Sequence, residues 1–161
     1  AAVKRSWQIL QRLLEKQPWL SEDIEILQAA VSQDGHALAS AADHLRADRE
    51  LVLLAVTKSW GEALEFAAED LKADRSFIMQ AARLNSRSLR FAAKSLQSDR
   101  DILLAAARED GYVLRTAPQA ICADYEVVLA AVKQNGNMFK FASKELRSDR
   151  ALAIIAARQE G

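Results

Sequence analysis

Apolar positions recur along this chain in a fixed register. Asp stands at 23, 48, 74, 99, 124 and 149, 25 residues apart except for one step of 26 between Asp48 and Asp74. Three residues after each Asp comes Ile26, Leu51, Phe77, Ile102, Val127 or Leu152. Seven residues after it comes Ala30, Ala55, Ala81, Ala106, Ala131 or Ala156. Further on lie Leu38, Leu64, Leu89, Leu114 and Phe139, then Leu45, Leu71, Leu96, Ile121 and Leu146. Self-similarity at one period over six copies is the signature of a repeat architecture.

Each unit predicts two short helices. The Asp is a natural N-cap, its carboxylate accepting from the free N–H groups of the first turn. Glu25, Glu50, Asp101 and Glu126, two positions later, add negative charge at the positive end of the helix dipole. Leu51, Val52, Ala55 and Val56 exemplify the stripe at three, four, seven and eight after the Asp. Leu53, Met79, Leu104 and Leu129 fill position five, which predicts a first helix buried on most sides. All five glycines (35, 61, 111, 136 and 161) fall at its end, where a left-handed helix stop is expected.

The second helix has a stripe such as Leu89, Ala92, Ala93 and Leu96. Its centre is a small pair, Ala41-Ala42, Ala67-Ala68, Ala92-Ala93 or Ala142-Ser143, which lets helix axes come close. In the fourth copy of that pair Pro118 follows Ala117, and a distorted or late-starting second helix is expected there. A helix pair this small cannot bury its own apolar face, whereas stacked neighbours can. The predicted fold class is all-α, a stack of short helix pairs forming an α-solenoid over residues 21–161.

Residues 1–20 stand apart. Val3, Trp7, Leu10 and Leu14 share one helical face, Lys4, Arg5, Arg12 and Lys16 make the other side basic, and Pro18 ends the run. Two readings stand: a cap over the apolar edge of the first repeat, or a docking helix that lies on a membrane or in a partner groove, with Trp7 as its anchor. The chain begins Ala1-Ala2-Val3 without Met and closes at Gly161 halfway through a sixth unit, as expected of a processed or excerpted polypeptide.

Composition narrows the classes without naming a partner. The 161 residues are 50% apolar and 27% charged, with five Gly, two Pro and one Cys, which excludes collagen-like, disulfide-rich and disordered chains. The longest unbroken apolar run, Ala151 to Ala157, is seven residues, against about 20 for a membrane-spanning helix. Twenty-two basic residues balance 22 acidic ones, so no global field draws the chain to nucleic acid or an anionic membrane. The balance hides a split, −4 over residues 1–80 and +4 over residues 81–161. The lone Cys122 allows no internal disulfide and fits a reducing compartment.

The pattern of Asp-Arg, three apolar residues, Ala-Ala, a Gly turn and Leu-x-x-Ala-Ala-x-x-Leu resembles the helical repeat of domain-of-unknown-function family 4116. Ser98-Asp99-Arg100-Asp101-Ile102-Leu103-Leu104-Ala105-Ala106-Ala107 carries it, as does Asn135-Gly136-Asn137-Met138-Phe139-Lys140-Phe141-Ala142-Ser143. The likeness covers residues 21–161; Ile24 and Tyr125, where Arg is usual, and Pro118 depart from it. The resemblance implies a short all-helical repeat, plentiful in unicellular algae, with no established activity and no catalytic residues to carry over.

No catalytic constellation stands out. His36 and His44 have no counterparts in other units, and no paired metal-ligand motif, phosphate loop or nucleophile elbow is present, so neither an enzyme nor a bound cofactor or metal is expected. The recurring Asp residues read as caps rather than acid–base groups. Cys122 stands where other units have Arg46, Lys72, Gln97 and Arg147, and is expected to be an exposed, incidental thiol. Arg49, Arg75, Arg100 and Arg150 either pair with carboxylates of the adjacent unit or offer a ladder of guanidinium groups to an acidic ligand.

Three features are candidates for recognition. Trp60 is the extra residue of the longer unit, tucked onto its neighbour or serving as an interface anchor. Phe66, Phe91 and Phe141 share one repeat position, as packing between repeats or as an exposed ridge. Two outer rows, Ala39, Glu65, Arg90, Arg115, Lys140 and Asp43, Glu69, Lys94, Gln119, Lys144, turn from acidic to basic along the stack. That gradient suits an acidic partner.

The expectation that follows is a non-enzymatic scaffold binding protein partners. The alternative is an accessory structural subunit of a larger assembly, such as an algal photosynthetic complex, associated peripherally with a membrane and placed in a plastid. RNA binding through Arg87, Arg90, Lys94, Arg115, Lys140 and Lys144 is a third reading, against which the neutral net charge weighs.

Overall fold

The computed structural model describes residue 12 and residues 17–159 of the chain; the expectations for Trp7 and its stripe, and for Gly161, lie outside them. Among the described residues every regular element is helical. Six ten-residue helices carry the repeat: α1 (Ile24–Gln33), α2 (Arg49–Lys58), α3 (Arg75–Leu84), α4 (Arg100–Glu109), α5 (Tyr125–Gln134) and α6 (Arg150–Gln159).

The predicted caps are in place. Asp48, Asp74 and Asp124 each accept from the N–H three residues on, and Asp23 and Asp99 from two N–H groups each. The stripe residues form one continuous core through successive units, with Leu51, Val52, Ala55 and Val56 of α2 and Val127, Val128, Ala131 and Val132 of α5 all buried. Position five is half-buried and packs against the core through Leu53, Met79, Leu104 and Leu129. This is a helical-repeat solenoid.

The second half of each unit is not the single helix its periodicity predicts. A 3-10 helix comes first, as in Gly35–Ser40, Ser86–Phe91 and Gly136–Phe141. The small pair follows in extended conformation, with Ala42 at φ −62° and ψ 156° and Ala68 at φ −59° and ψ 146°. A short α-helix such as Asp43–Arg46 or Lys144–Arg147 closes most units. The break has a tertiary cause. Ala42, Ala68, Ala93 and Ser143 donate their N–H groups to the carbonyls of Ser21, Arg46, Lys72 and Cys122 in the preceding segment, at 2.7–2.9 Å. An N–H committed to a neighbouring unit is not available inside a helix.

Pro118 therefore adds no break of its own: the α-helix after it starts late, at Gln119, as its counterparts do at Asp43 and Glu69. At φ −58° and ψ 153° it occupies the slot of Ala42 and Ala68, a conformation its ring favours. What the unit loses is the N–H, so the carbonyl of Gln97, the counterpart of Arg46 and Lys72, receives no bond from that slot. The same register reaches back to Pro18: the 3-10 helix Pro18–Glu22 holds buried Leu20 where later units have Leu45 and Leu71, and Ser21 accepts from Ala42.

The glycines also differ from expectation. Among the described glycines only Gly61 has a left-handed φ, at +90°. Gly35, Gly111 and Gly136 are needed for close approach, since a Cβ there would meet the carbonyl oxygen of Ala55, Ala131 or Ala156 in the next unit's helix. The residue before these turns is a second cap: Asp34, Asn85, Asp110 and Asn135 accept from the N–H groups of His36, Arg87, Tyr112 and Asn137.

Candidate functional site

Three of the four recurring arginines, Arg49, Arg75 and Arg100, are spent within the stack. Arg49 donates to Asp74 at 2.6 Å, and Arg75 and Arg100 grip both carboxylate oxygens of Asp99 and Asp124 at 2.7–3.2 Å. Arg75 also reaches Asp101, and Arg100 reaches Glu126. Asp74, Asp99 and Asp124 therefore each cap their own helix and anchor the preceding unit's guanidinium. The carboxyl of Asp74 is held well below the ordinary range by the Phe77 N–H, the Ser76 hydroxyl and Arg49. Arg75 and Arg100 are the main cause for Asp99 and Asp124. Tyr125 interrupts the ladder, and Asp149 has no ion pair among the described residues.

Cys122 is half-buried rather than exposed, and burial pushes its thiol up, away from the reactive thiolate. Its slot has a structural role. Arg46 donates to the carbonyls of Ala39 and Ala41, and Gln97 to those of Arg90 and Ala92, closing the end of the 3-10 helix. Cys122 reaches Leu114 O and Ala117 O only at 3.8 Å, as a weak donor.

The Phe position is half-buried against the core in all three units. Phe66 meets the His36 ring edge-on, with centroids 6.4 Å apart. The Arg90 guanidinium lies 5.4 Å from the centroid of Phe91, and the Lys140 ammonium 5.2 Å from that of Phe141. Lys94, Lys140 and Lys144 are exposed, and none of them has an ion pair among the described residues.

Trp60 is not tucked onto its neighbour. It is 72% exposed and adopts φ +56°. The helix end around it is well fixed: Gly61 N–H donates to Val56 O at 2.9 Å, the six-to-one bond of a Schellman stop. The left-handed residue of that motif is usually Gly, so holding a bulky side chain there is unfavourable by about 1–2 kcal/mol. Buried Ser59 locks the turn, its hydroxyl donating to Ala55 O and accepting from Ala63 N–H.

Trp60 lines an open groove of about 560 Å³ that crosses three consecutive units. Glu62 lies beside it, Asn85, Ser86, Arg87 and Arg90 come from the next unit, and Asp110, Tyr112, Arg115 and Thr116 from the one after. Three residues singled out in the sequence, Trp60, Arg90 and Arg115, thus meet in one place. Phe66, Phe91, Phe141, Lys94, Lys140 and Lys144 lie outside the lining. Sequence reasoning passed over Tyr112, 54% exposed, and weighed Arg87 only as a phosphate contact. Their signal was the register: Tyr112 follows a Gly turn two units on from the Trp60 turn.

Among the described residues no group of three or more His, Cys, Asp or Glu could hold a metal ion. None of their helices is long and apolar enough to cross a membrane. No curated protein and no solved structure matches the chain. The family termed Domain of unknown function (DUF4116) matches residues 23–72, 48–97, 74–121 and 124–161, in step with the structural units. The chain belongs to the DUF4116 family, as an array of its helical repeats.

Proposed function

We propose that this protein is a non-enzymatic scaffold that docks a protein partner along the 3-10 turns of its repeat stack. The observation that carries the reading is Trp60, a large apolar side chain held in solvent by a locked turn in an unfavourable backbone conformation. Strain of that kind persists where the surroundings over-determine it, and interface anchors are rich in Trp, Tyr and Arg. Pre-organisation lowers the ordering entropy a partner would otherwise face on binding. The repeat architecture supports the same reading, since stacked units present an extended surface.

A photo-crosslinking residue placed at position 60 tests it in native extract, with products identified by mass spectrometry. One protein crosslinked at near-stoichiometric yield from position 60, and not from a control placement at exposed Gln80, is the expected result. Absence of any protein adduct at position 60 overturns the scaffold reading.

A further inference from the structure

The groove carries three guanidiniums against two carboxylates. Of the carboxylates, Asp110 accepts on one oxygen from Tyr112 N–H and on the other from the Ser86 hydroxyl at 2.6 Å. Glu62 is half exposed and places one oxygen 3.4 Å from the His36 ring. The three guanidiniums that line the same groove, Arg87, Arg90 and Arg115, form no ion pair with any described residue. This contrasts with Arg49, Arg75 and Arg100, each of which is paired across the unit boundary. Two exposed rings, Trp60 and Tyr112, come from turns two units apart.

Resting on the scaffold reading, we propose that the groove binds an extended, acidic segment of the partner protein. Its Asp or Glu side chains bind Arg87, Arg90 and Arg115, and its apolar side chains lie against Trp60 and Tyr112. Guanidinium–carboxylate pairs favour this, because the planar fork of Arg matches two carboxylate oxygens at once. Layers about 9–10 Å apart put the two turns about 20 Å from each other, which about six extended residues span at 3.3 Å each. A nucleic-acid strand suits the groove less well: Glu62 and Asp110 would repel some of its uniformly spaced phosphates, whereas a peptide can set apolar side chains opposite them.

The test is selection of a random decapeptide library on the full chain, in parallel with the chain carrying Arg87→Glu, Arg90→Glu and Arg115→Glu. Circular dichroism first establishes that the variant is folded. Selected sequences are expected to be enriched in Asp and Glu interspersed with apolar residues. Their affinity should fall at least tenfold on the triple variant and on Trp60→Ala. Enrichment without an acidic bias, or affinity unchanged by the triple variant, overturns the proposal. So does an oligouridylate that binds the full chain more tightly than the selected peptides. If crosslinking at position 60 still captures a protein when this selection fails, the scaffold reading stands and the acidic ligand alone is lost. If both fail, the scaffold reading falls with it.

Discussion

Replacing Gly111 by Ala tests the reason glycine recurs at the turns. A Cβ at Gly111 falls 2.5 Å from the carbonyl oxygen of Ala131 and 3.2 Å from its carbon, with Met138 Cγ at 3.3 Å. The first two are backbone atoms of α5, so relief requires moving a helix and not merely turning a side chain. Overpacking of this kind is unfavourable by about 1–3 kcal/mol, and the smaller entropy of the unfolded Ala chain offsets about 0.4–1 kcal/mol. Because the clash is with helix backbone, the upper half of the overpacking range applies, about 2–3 kcal/mol. The expected net loss is about 1–2.6 kcal/mol, a fall in Tm of roughly 2–10 °C for a chain of this size. Because Gly111 has no left-handed φ, the substitution isolates the steric contact from backbone strain. Urea unfolding followed by helical circular dichroism gives the magnitude, with the m value checked because repeat arrays can lose two-state behaviour. A midpoint equal to or above that of the unmodified chain would refute the close-approach account.

Three further substitutions probe the contacts between units. Cys122→Gln should supply the carbonyl donor that Gln97 provides in its own unit and stabilise by about 0.5–1.5 kcal/mol, read from the urea midpoint. Tyr125→Arg should continue the ladder to Asp149 and add about 0–1 kcal/mol, an increment that shrinks in high salt. Replacing Arg49, Arg75 and Arg100 together by Gln acts on the acid limb. The folded carboxyls of Asp74, Asp99 and Asp124 lie below their ordinary value of 3.8. The stability they contribute is therefore complete above that pH and lost as the pH falls below it. The difference between urea midpoints at pH 7 and pH 3 should be smaller in the triple variant, and an unchanged difference would mean that the arginines do not set those shifts.

What could be read from the sequence was whatever is local or tied to the period. An Asp before an apolar stripe caps its own helix, and an Arg one residue later meets the next Asp because the register puts it there. The extended break in each second half was hidden, since Ala-Ala has the highest helix propensity and its partner carbonyl lies in another unit. Two residues carried the signal in plain sight. Ser143 is a good N-cap, whose hydroxyl accepts from Leu146 N–H, and Pro118 is well suited to an extended slot. Read as members of one register position rather than as an exception and a variant, they mark the break. The Asx residues before the turns were likewise visible at 34, 85, 110 and 135. The groove was only partly legible: Trp60, Arg90 and Arg115 were named for separate reasons, and their proximity depends on how the turns of three units align.

The units are joined by two kinds of contact, which are interrupted at different places. One is the ionic ladder, continuous from Arg49 to Asp124 and interrupted at Tyr125. The other is the set of backbone bonds from the extended slots, continuous except at Pro118. Trp60, Arg90 and Arg115 lie in the units that open at Asp48, Asp74 and Asp99, and these are the units that Arg49 and Arg75 bolt together. A ligand that touches all three needs their relative placement fixed before it arrives, since otherwise binding must also overcome the entropy of aligning them. Exposed pairs of this kind add little to stability singly. Their contribution to the proposed groove would be register, by restricting how the three units shift against one another. Substituting Arg75 should therefore weaken binding in the groove although Arg75 lies outside its lining.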